Sequence, residues 1–395
     1  MSPINIQSLN TEEAAPVFNW LTTYAFHETP PMREPEEFFE RFKHTEGYTK
    51  YLALYEDDTP VASAGAGPMT QNIRGRLVDS TGIFMVATHP NHRRKGYSFV
   101  LLKELFKQMR EEGYGVSCLY PFRESFYERL GYANFPPSLI AEINIRGLAP
   151  LLDQTIETQL ELVEFVQKPE LYFEFVERYQ RRTHGVATFK KDLPPDPKWH
   201  KAWVLASRIH GELDGIMVYS LEGNRPTQFK FNAGRFYTFS PASRYQFLNW
   251  IARHLDQTSE VTITLPAFEQ PHTWFSDLDI QLSTRNISPM GRVLDISKLT
   301  GLPAGDGSFT AEIIDPVCPW NEGIWAFEGQ GGTLRVTKAA QADCWLGIQG
   351  LSALVYGCLP PENFNYRGWG DFPEKTSQAM KAIFPPLVPH VHAYF

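Results

Sequence analysis

The chain has 395 residues, 43% of them hydrophobic and 14% aromatic, enough apolar material for two or three cores rather than one. Its formal net charge of −8 argues against general nucleic-acid binding, which draws on a basic excess. No apolar run approaches the roughly 18 residues needed to span a bilayer, and the opening Met1-Ser2-Pro3 lacks the basic start of a signal peptide, so a cytoplasmic protein with no membrane partner is expected.

Residues 1–150 alternate strand and helix signals. Ile4 to Gln7 reads as a strand, and Asn10 with Glu13 forms a capping box for the helix that follows. Strands are expected at Tyr51 to Tyr55, Val61 to Gly65, Leu77 to Val86 and Gly115 to Leu119. Between the last two, Leu102, Leu105, Phe106 and Met109 recur at helical spacing and predict a helix over 97–112. Cys118, Cys318, Cys344 and Cys358 contain no Cys-x-x-Cys pair, so buried reduced thiols and no metal are expected.

The most informative stretch is Val86-Ala-Thr-His-Pro90-Asn-His-Arg93-Arg-Lys-Gly96-Tyr-Ser98. It joins an apolar strand to a helix through a bend stopped by Pro90 and a basic loop. The first amides of such a helix lack partners and carry the positive end of its dipole, so a diphosphate suits them. Gly96 lets the backbone approach closely, Ser98 is small, and Arg93, Arg94 and Lys95 add positive charge. An ordinary solvated strand-to-helix turn would show some of these features, but not the whole spacing. Arg93-Arg-Lys-Gly96-Tyr-Ser98 resembles the acetyl-coenzyme A signature of the GCN5-related N-acetyltransferase superfamily, with Thr88 in place of a usual Val. The resemblance implies a mixed sheet in which two adjacent strands splay apart around the cofactor's pantetheine arm.

After the Cys118 strand, Phe126 and Leu130 stand four apart, as on the core face of a short helix, with Tyr127 on another face. A phenol of ordinary pKa, about 10, stays protonated at neutral pH and can serve as acid to a thiolate. Packing on an amphipathic turn is the alternative for Tyr127. The run Phe126-Tyr-Glu-Arg-Leu-Gly-Tyr132 resembles the superfamily's last motif, which implies the acid role. No His or carboxylate stands out by spacing as a base, and His89 and His92 read as phosphate-side or solvent-facing residues.

Residues 151–285 repeat the strand-then-helix layout. A helix is expected at Leu171 to Arg182, strands at Trp203 to Arg208, Gly215 to Leu221 and Arg235 to Phe239, and a helix over 241–255. The turn Ser240-Pro-Ala-Ser-Arg-Tyr has no glycine and one base, so a second copy of the fold here would lack the cofactor motif. From 286 to 395 short strands at Val293 to Ile296, Gly307 to Ile314, Gly323 to Glu328 and Gly332 to Thr337 precede helices at Ser352 to Gly357 and Thr376 to Phe384. Ala342 to Gly347 followed by Leu351 to Gly357 resembles the sterol carrier protein fold. The expected class is mixed α+β: two tandem acetyltransferase folds and a sterol-carrier-like domain.

The apolar ending Pro385-Pro-Leu-Val-Pro-His-Val-His-Ala-Tyr-Phe395 is expected to dock rather than hang free. It either tethers by its hydrophobic residues or also carries its α-carboxylate into a cavity. Taken together, the whole chain resembles the Eis (enhanced intracellular survival) family. That resemblance implies Tyr127 as acid and the carboxylate of Phe395 as base, a homohexamer, and acetylation of small-molecule amines including aminoglycosides. It places pantetheine contacts on Val86, Ala87 and Thr88, pyrophosphate contacts on Arg94, Lys95, Gly96, Tyr97, Ser98 and Phe99, and further cofactor contacts on Phe122 and Arg123. Two departures stand out: Phe122 replaces a small polar residue, and Tyr394 replaces the acidic residue suited to an aminoglycoside. A polycation would call for carboxylates and aromatics, for which Glu28, Glu36, Glu37 and Glu40 with Trp20, Phe26, Phe38, Phe39 and Phe42 are candidates, or a core stripe beside a solvated face. The rival from another class is a non-catalytic lipid- or ligand-binding protein using the C-terminal domain.

Overall fold

Asn10 and Glu13 satisfy each other: the Asn10 N–H donates to Glu13 Oε2 at 3.0 Å and the Glu13 N–H to Asn10 Oδ1 at 2.9 Å, the reciprocal pairing expected at a helix start. The computed structural model describes residues 3–27, 30–32, 34–190, 201–225 and 227–393. They form two compact units, one of residues 1–136, 181–194 and 287–395, the other of 137–180 and 195–286.

The first unit begins β1 (Ile4–Leu9), α1 (Thr11–His27), α2 (Pro35–Phe42), β2 (Lys50–Glu56), β3 (Thr59–Ile73), β4 (Arg76–Thr88), α3 (Tyr97–Glu111), β5 (Val116–Leu119), α4 (Glu124–Glu128) and β6 (Ala133–Asn134). Ala14, Ala15 and Phe18 of α1 pack with Phe38, Phe42 and Tyr51. α3 buries Leu101, Leu102, Leu105, Phe106 and Met109, each worth roughly 2 kcal/mol of transfer free energy.

The chain then enters the second unit at β7 (Leu139–Ile143) and β8 (Gln159–Glu164), followed by α5 (Pro169–Arg182). It returns to the first for β9 (Ala187–Phe189), which pairs with β3. In the second unit again are β10 (Trp203–Ile209), β11 (Glu212–Glu222), β12 (Phe229–Thr238), α6 (Pro241–Ala252), β13 (Thr258–Leu265) and β14 (Ile280–Thr284). β15 (Met290–Val293) is back in the first.

Two sheets result, of order β1-β2-β3-β4-β5-β15-β6 and β8-β10-β11-β12-β13-β7-β14. Each has one parallel pair along that path, β4 with β5 and β12 with β13, bridged by α3 and α6. The layout is thus repeated, and the two copies have traded a strand: β7 lies between β13 and β14, and β15 between β5 and β6. The boundary read at residue 150 therefore falls earlier, near 136. Residues 290–293, read as the start of the C-terminal domain, instead complete the N-terminal sheet.

The C-terminal segment adds β16 (Gly307–Ile314), β17 (Gly323–Gln330), β18 (Thr333–Lys338), β19 (Cys344–Gly347), α7 (Ile348–Tyr356), α8 (Phe364–Arg367), β20 (Gly370–Asp371) and α9 (Glu374–Ile383). Its sheet runs β18-β17-β16-β19-β20. It is no separate body, because Phe309, Leu351 and Tyr356 share one core with Ile73, Val116 and Phe135. No helix among the described residues is long and apolar enough to cross a membrane.

Candidate active site

Strand β4 pairs with β5 only from Ser80 to Ile83, yet runs on to Thr88. On its other side it stays paired with β3, where Ala87 faces Ser63 and Thr88 faces Ala62. Between these pairings the register slips, and Met85 takes a φ of 52°. A β-bulge of this kind bends the strand and increases its twist. Ser63 Oγ secures it by donating to the Met85 carbonyl at 3.0 Å. The far edge of residues 84–88 has no β5 partner, so apart from the Met85 and Thr88 carbonyls, which accept from Ser63 Oγ and Arg93 Nε, this segment can pair with another extended chain of amides. The expected pantetheine residues Val86, Ala87 and Thr88 lie on this segment.

The chain then bends through Pro90–His92, and both Arg94 (φ 64°) and Gly96 (φ 82°) adopt left-handed backbone. Gly96 is the N-cap of α3, and no side chain caps the helix. A Cβ on Gly96 would meet nothing within 4 Å, so glycine is needed for its backbone angle rather than for space. The first amides of α3 consequently face an open loop that suits a diphosphate. Thr88 Oγ1 and Ser98 Oγ, 2.6 Å apart, tie the strand end to the first turn of the helix. These features fit a coenzyme A moiety: an extended amide arm along β4 and phosphates at α3.

Lys95 differs from expectation. Its Nζ donates to both carboxylate oxygens of Glu56, at 3.2 and 3.1 Å, while His92 Nδ1 lies 2.6 Å from Glu56 Oε2. The hydrogen bond from Lys95 holds the Glu56 carboxyl below its usual range. Part of the loop's positive charge is therefore already countered, although Lys95 is exposed like Arg93 and Arg94. Tyr97 is half-buried under Lys95, and Phe99 is exposed. Nothing in the sequence spacing marked Glu56.

Tyr127 is buried on the five-residue helix α4, more deeply than Phe126. It shares a core with Ile83 and Leu119, the last paired residues of β4 and β5, and Val86 packs against that core. The Phe122, Phe126 and Tyr132 rings stand 5.8, 5.0 and 6.0 Å from its own. Burial pushes the phenol well above 10. Phe122 is exposed, and Arg123 forms the N-cap of α4 without a side-chain bond.

The C-terminal tail docks, with His390, Val391 and His392 buried. The His390 N–H donates to the His184 carbonyl at 3.0 Å, and Tyr120, just after β5, donates its hydroxyl to the Val391 carbonyl at 3.2 Å. Ala393 packs against the cluster of Met69, Cys118 and Ala187. Phe395 and Tyr394 lie outside the described residues, as does Glu28. Of the acceptor-site candidates, Phe38 and Phe42 are core, while Trp20 and Phe26 are exposed. Among the described residues no three His, Cys, Asp or Glu side chains are grouped to hold a metal ion.

In the second unit, the turn before α6 is built differently. Ser240 and Ser243 both donate to the Asp214 carboxylate, Ser243 at 2.7 Å, and Ser240 Oγ caps the Ser243 amide. A carboxylate and a serine cap thus stand where the first unit leaves its helix amides open.

A family model for the acetyltransferase (GNAT) domain matches residues 5–135, and one for the sterol carrier protein domain matches residues 294–391. Among solved structures, a GCN5-related N-acetyltransferase from Anabaena variabilis superposes with a TM-score of 0.80 at 19% identity, covering 98% of this chain and 99% of that one. A probable N-acyltransferase from Enterococcus faecalis gives 0.83 at 19% identity, covering 100% of both chains. Eis1 from Mycobacterium abscessus gives 0.77 at 17% identity, again covering 100% of both. At these identities the likeness is one of fold. None of the curated proteins matches the sequence.

Proposed function

We propose that the chain, in which residues 5–135 match the acetyltransferase (GNAT) domain and residues 294–391 the sterol carrier protein domain, is an acetyl-CoA-dependent N-acetyltransferase of the Eis type. Its acceptor is the primary amine of a small polyamine or aminoglycoside-like molecule. The observation that carries this reading is the parting of β4 from β5 beyond Ile83, with Tyr127 packed against the last paired residues.

In this reading the free edge of Val86, Ala87 and Thr88 holds the pantetheine amides. The opening amides of α3 and the side chain of Arg94 hold the diphosphate, with Lys95, Tyr97, Ser98 and Phe99 completing the loop and Phe122 and Arg123 flanking it. The bound cosubstrate supplies an already activated thioester, so positioning does much of the work. Tyr127 Oη gives its proton to the departing sulfur. The Phe395 carboxylate removes, through water, the proton an ammonium must lose before it can attack. Docking of the tail as far as Ala393, beside the end of β5, supports that delivery. Homohexameric assembly and a cytoplasmic setting belong to the same proposal, and light scattering on the purified protein tests the first. The middle unit serves without a cofactor.

The test is thiol release from acetyl-CoA on addition of spermidine or kanamycin, measured for wild type, for Tyr127→Phe and for a chain ending at Tyr394. Saturable release that falls at least a hundredfold in both variants is expected. Absence of acetyl-CoA binding at millimolar concentration overturns the proposal. Turnover of spermidine but not kanamycin retains the transferase and removes the aminoglycoside class.

A further inference from the structure

Helix α4 carries Tyr127 yet has only five residues and no side-chain cap at its start. An isolated helix of this length does not hold itself, and its last carbonyls accept first from the backbone just beyond it, Tyr127 from the Leu130 N–H and Glu128 from the Gly131 N–H, each at 2.9 Å. Further donors come from the C-terminal segment and from β15. Gln349 Nε2 donates to the Glu128 carbonyl at 2.9 Å, and Arg292 Nη1 donates to the Leu130 carbonyl. The Glu128 side chain is held as well, with Oε2 accepting from Arg367 Nη2 at 2.7 Å and Oε1 from Trp369 Nε1 at 3.1 Å. Arg367 in turn lies over the Trp369 ring, 4.1 Å from its centroid. Two of these donors are cationic and stand at a helix C-terminus, where positive charge is favoured.

We propose that Gln349, Arg367 and Trp369 are positioning residues for acyl transfer, a clamp through which the sterol-carrier-like segment fixes the Tyr127 phenol by gripping Glu128, the next residue. The C-terminal domain then has a part in the reaction besides bearing the tail. This inference rests on the reading of Tyr127 as the proton donor. A phenol displaced by about 1 Å loses much of its catalytic effect, since misplacement of that size can cost a hundredfold, whereas cosubstrate binding at β4 and α3 is untouched.

The experiment measures thiol release from acetyl-CoA with spermidine and with kanamycin for Gln349→Leu, Arg367→Met and Arg367→Lys, each in the wild-type and Tyr127→Phe backgrounds. The expected result is a tenfold or larger fall in kcat for Gln349→Leu and Arg367→Met, an acetyl-CoA KM within twofold of wild type, and partial recovery in Arg367→Lys. In the Tyr127→Phe background these changes should have no further effect, because the group they place is gone. Arg367 is partly exposed, so its variants carry the comparison if Gln349→Leu does not fold. Equal losses in both backgrounds, or no loss in either, overturn the clamp and leave the enzyme reading standing. A wild-type rate in Tyr127→Phe alone overturns the clamp together with the reading of Tyr127 as proton donor, and leaves the transferase standing.

Discussion

Arg292 Nη2 donates to Asp315 Oδ2 at 2.6 Å with both side chains fully buried. The pair is embedded in further bonds: Arg292 Nε reaches the Val293 carbonyl at 3.1 Å, and Asp315 accepts from the Cys318 amide at 3.1 Å and from Asn321 Nδ2 at 2.9 Å. Gly131 makes room for it, because a Cβ there would stand 2.9 Å from Arg292 Nη1. A buried charge left without its partner costs about 3–5 kcal/mol. Asp315→Ala is therefore expected to lower unfolding free energy by about that amount, read from urea denaturation. A loss under 1 kcal/mol would show that the guanidinium finds water or another acceptor.

Gly185 lets the tail dock. Its φ is 85°, and a Cβ would stand 2.5 Å from the His390 backbone nitrogen. Gly185→Ala should therefore displace residues 389 to 391, expose the C-terminus to carboxypeptidase and lower kcat, with acetyl-CoA affinity unchanged. Gly211→Ala is the control, since Gly211 has a φ of 83° with nothing within 4 Å. Both substitutions carry a left-handed strain of roughly 1–2 kcal/mol, but only the first should alter turnover. Equal turnover in the two variants would detach the tail from the reaction.

The local features were legible in the sequence and the non-local ones were not. The capping box at Asn10 and the helix of Leu102, Leu105 and Met109 depend on residues within a turn or two of each other, and they stand as read. Strand Gly307–Ile314 likewise ends where its turns place it. The loop at Gly96 was readable because a left-handed N-cap calls for glycine. By contrast, the seat of Met290–Val293 between β5 and β6 depends on partners more than 150 positions away, and a four-residue segment that includes Arg292 carries no alternation to mark it as a strand. The grip of Gln349 on Glu128 spans 221 positions and leaves no mark in spacing. Lys95 read as a phosphate ligand because its partner Glu56 lies 39 positions upstream.

His184 predicts an acid-sensitive fold. Its Nδ1 accepts from the Arg74 N–H at 2.9 Å while Nε2 donates to the Tyr356 carbonyl at 2.8 Å, an arrangement that requires the neutral ring. Burial lowers its pKa from 6.5 to about 4. The unfolded chain thus takes up this proton first, so the contribution is complete above about 6.5 and is lost as pH falls towards 4, by up to about 1.4 kcal/mol per pH unit. Urea midpoints measured from pH 7 to pH 4 should show that decline, and His184→Gln should flatten this part of it. An identical pH dependence in the variant would remove His184 as its source.

Tyr127 sets the alkaline behaviour of turnover. Its phenol is raised above 10 by burial, so the proton it donates stays in place at every pH up to at least 10. kcat is therefore expected to rise as the acceptor ammonium and the base titrate, with no descending limb up to pH 10. Tyr127→Phe should lower kcat across the profile by about 10²–10⁴, the usual range for loss of an acid–base group, and leave the shape of the rise unchanged. A descending limb below pH 10 in wild type that disappears in Tyr127→Phe would mean that the phenol ionises early, in a setting more polar than the packed rings of Phe122, Phe126 and Tyr132 provide.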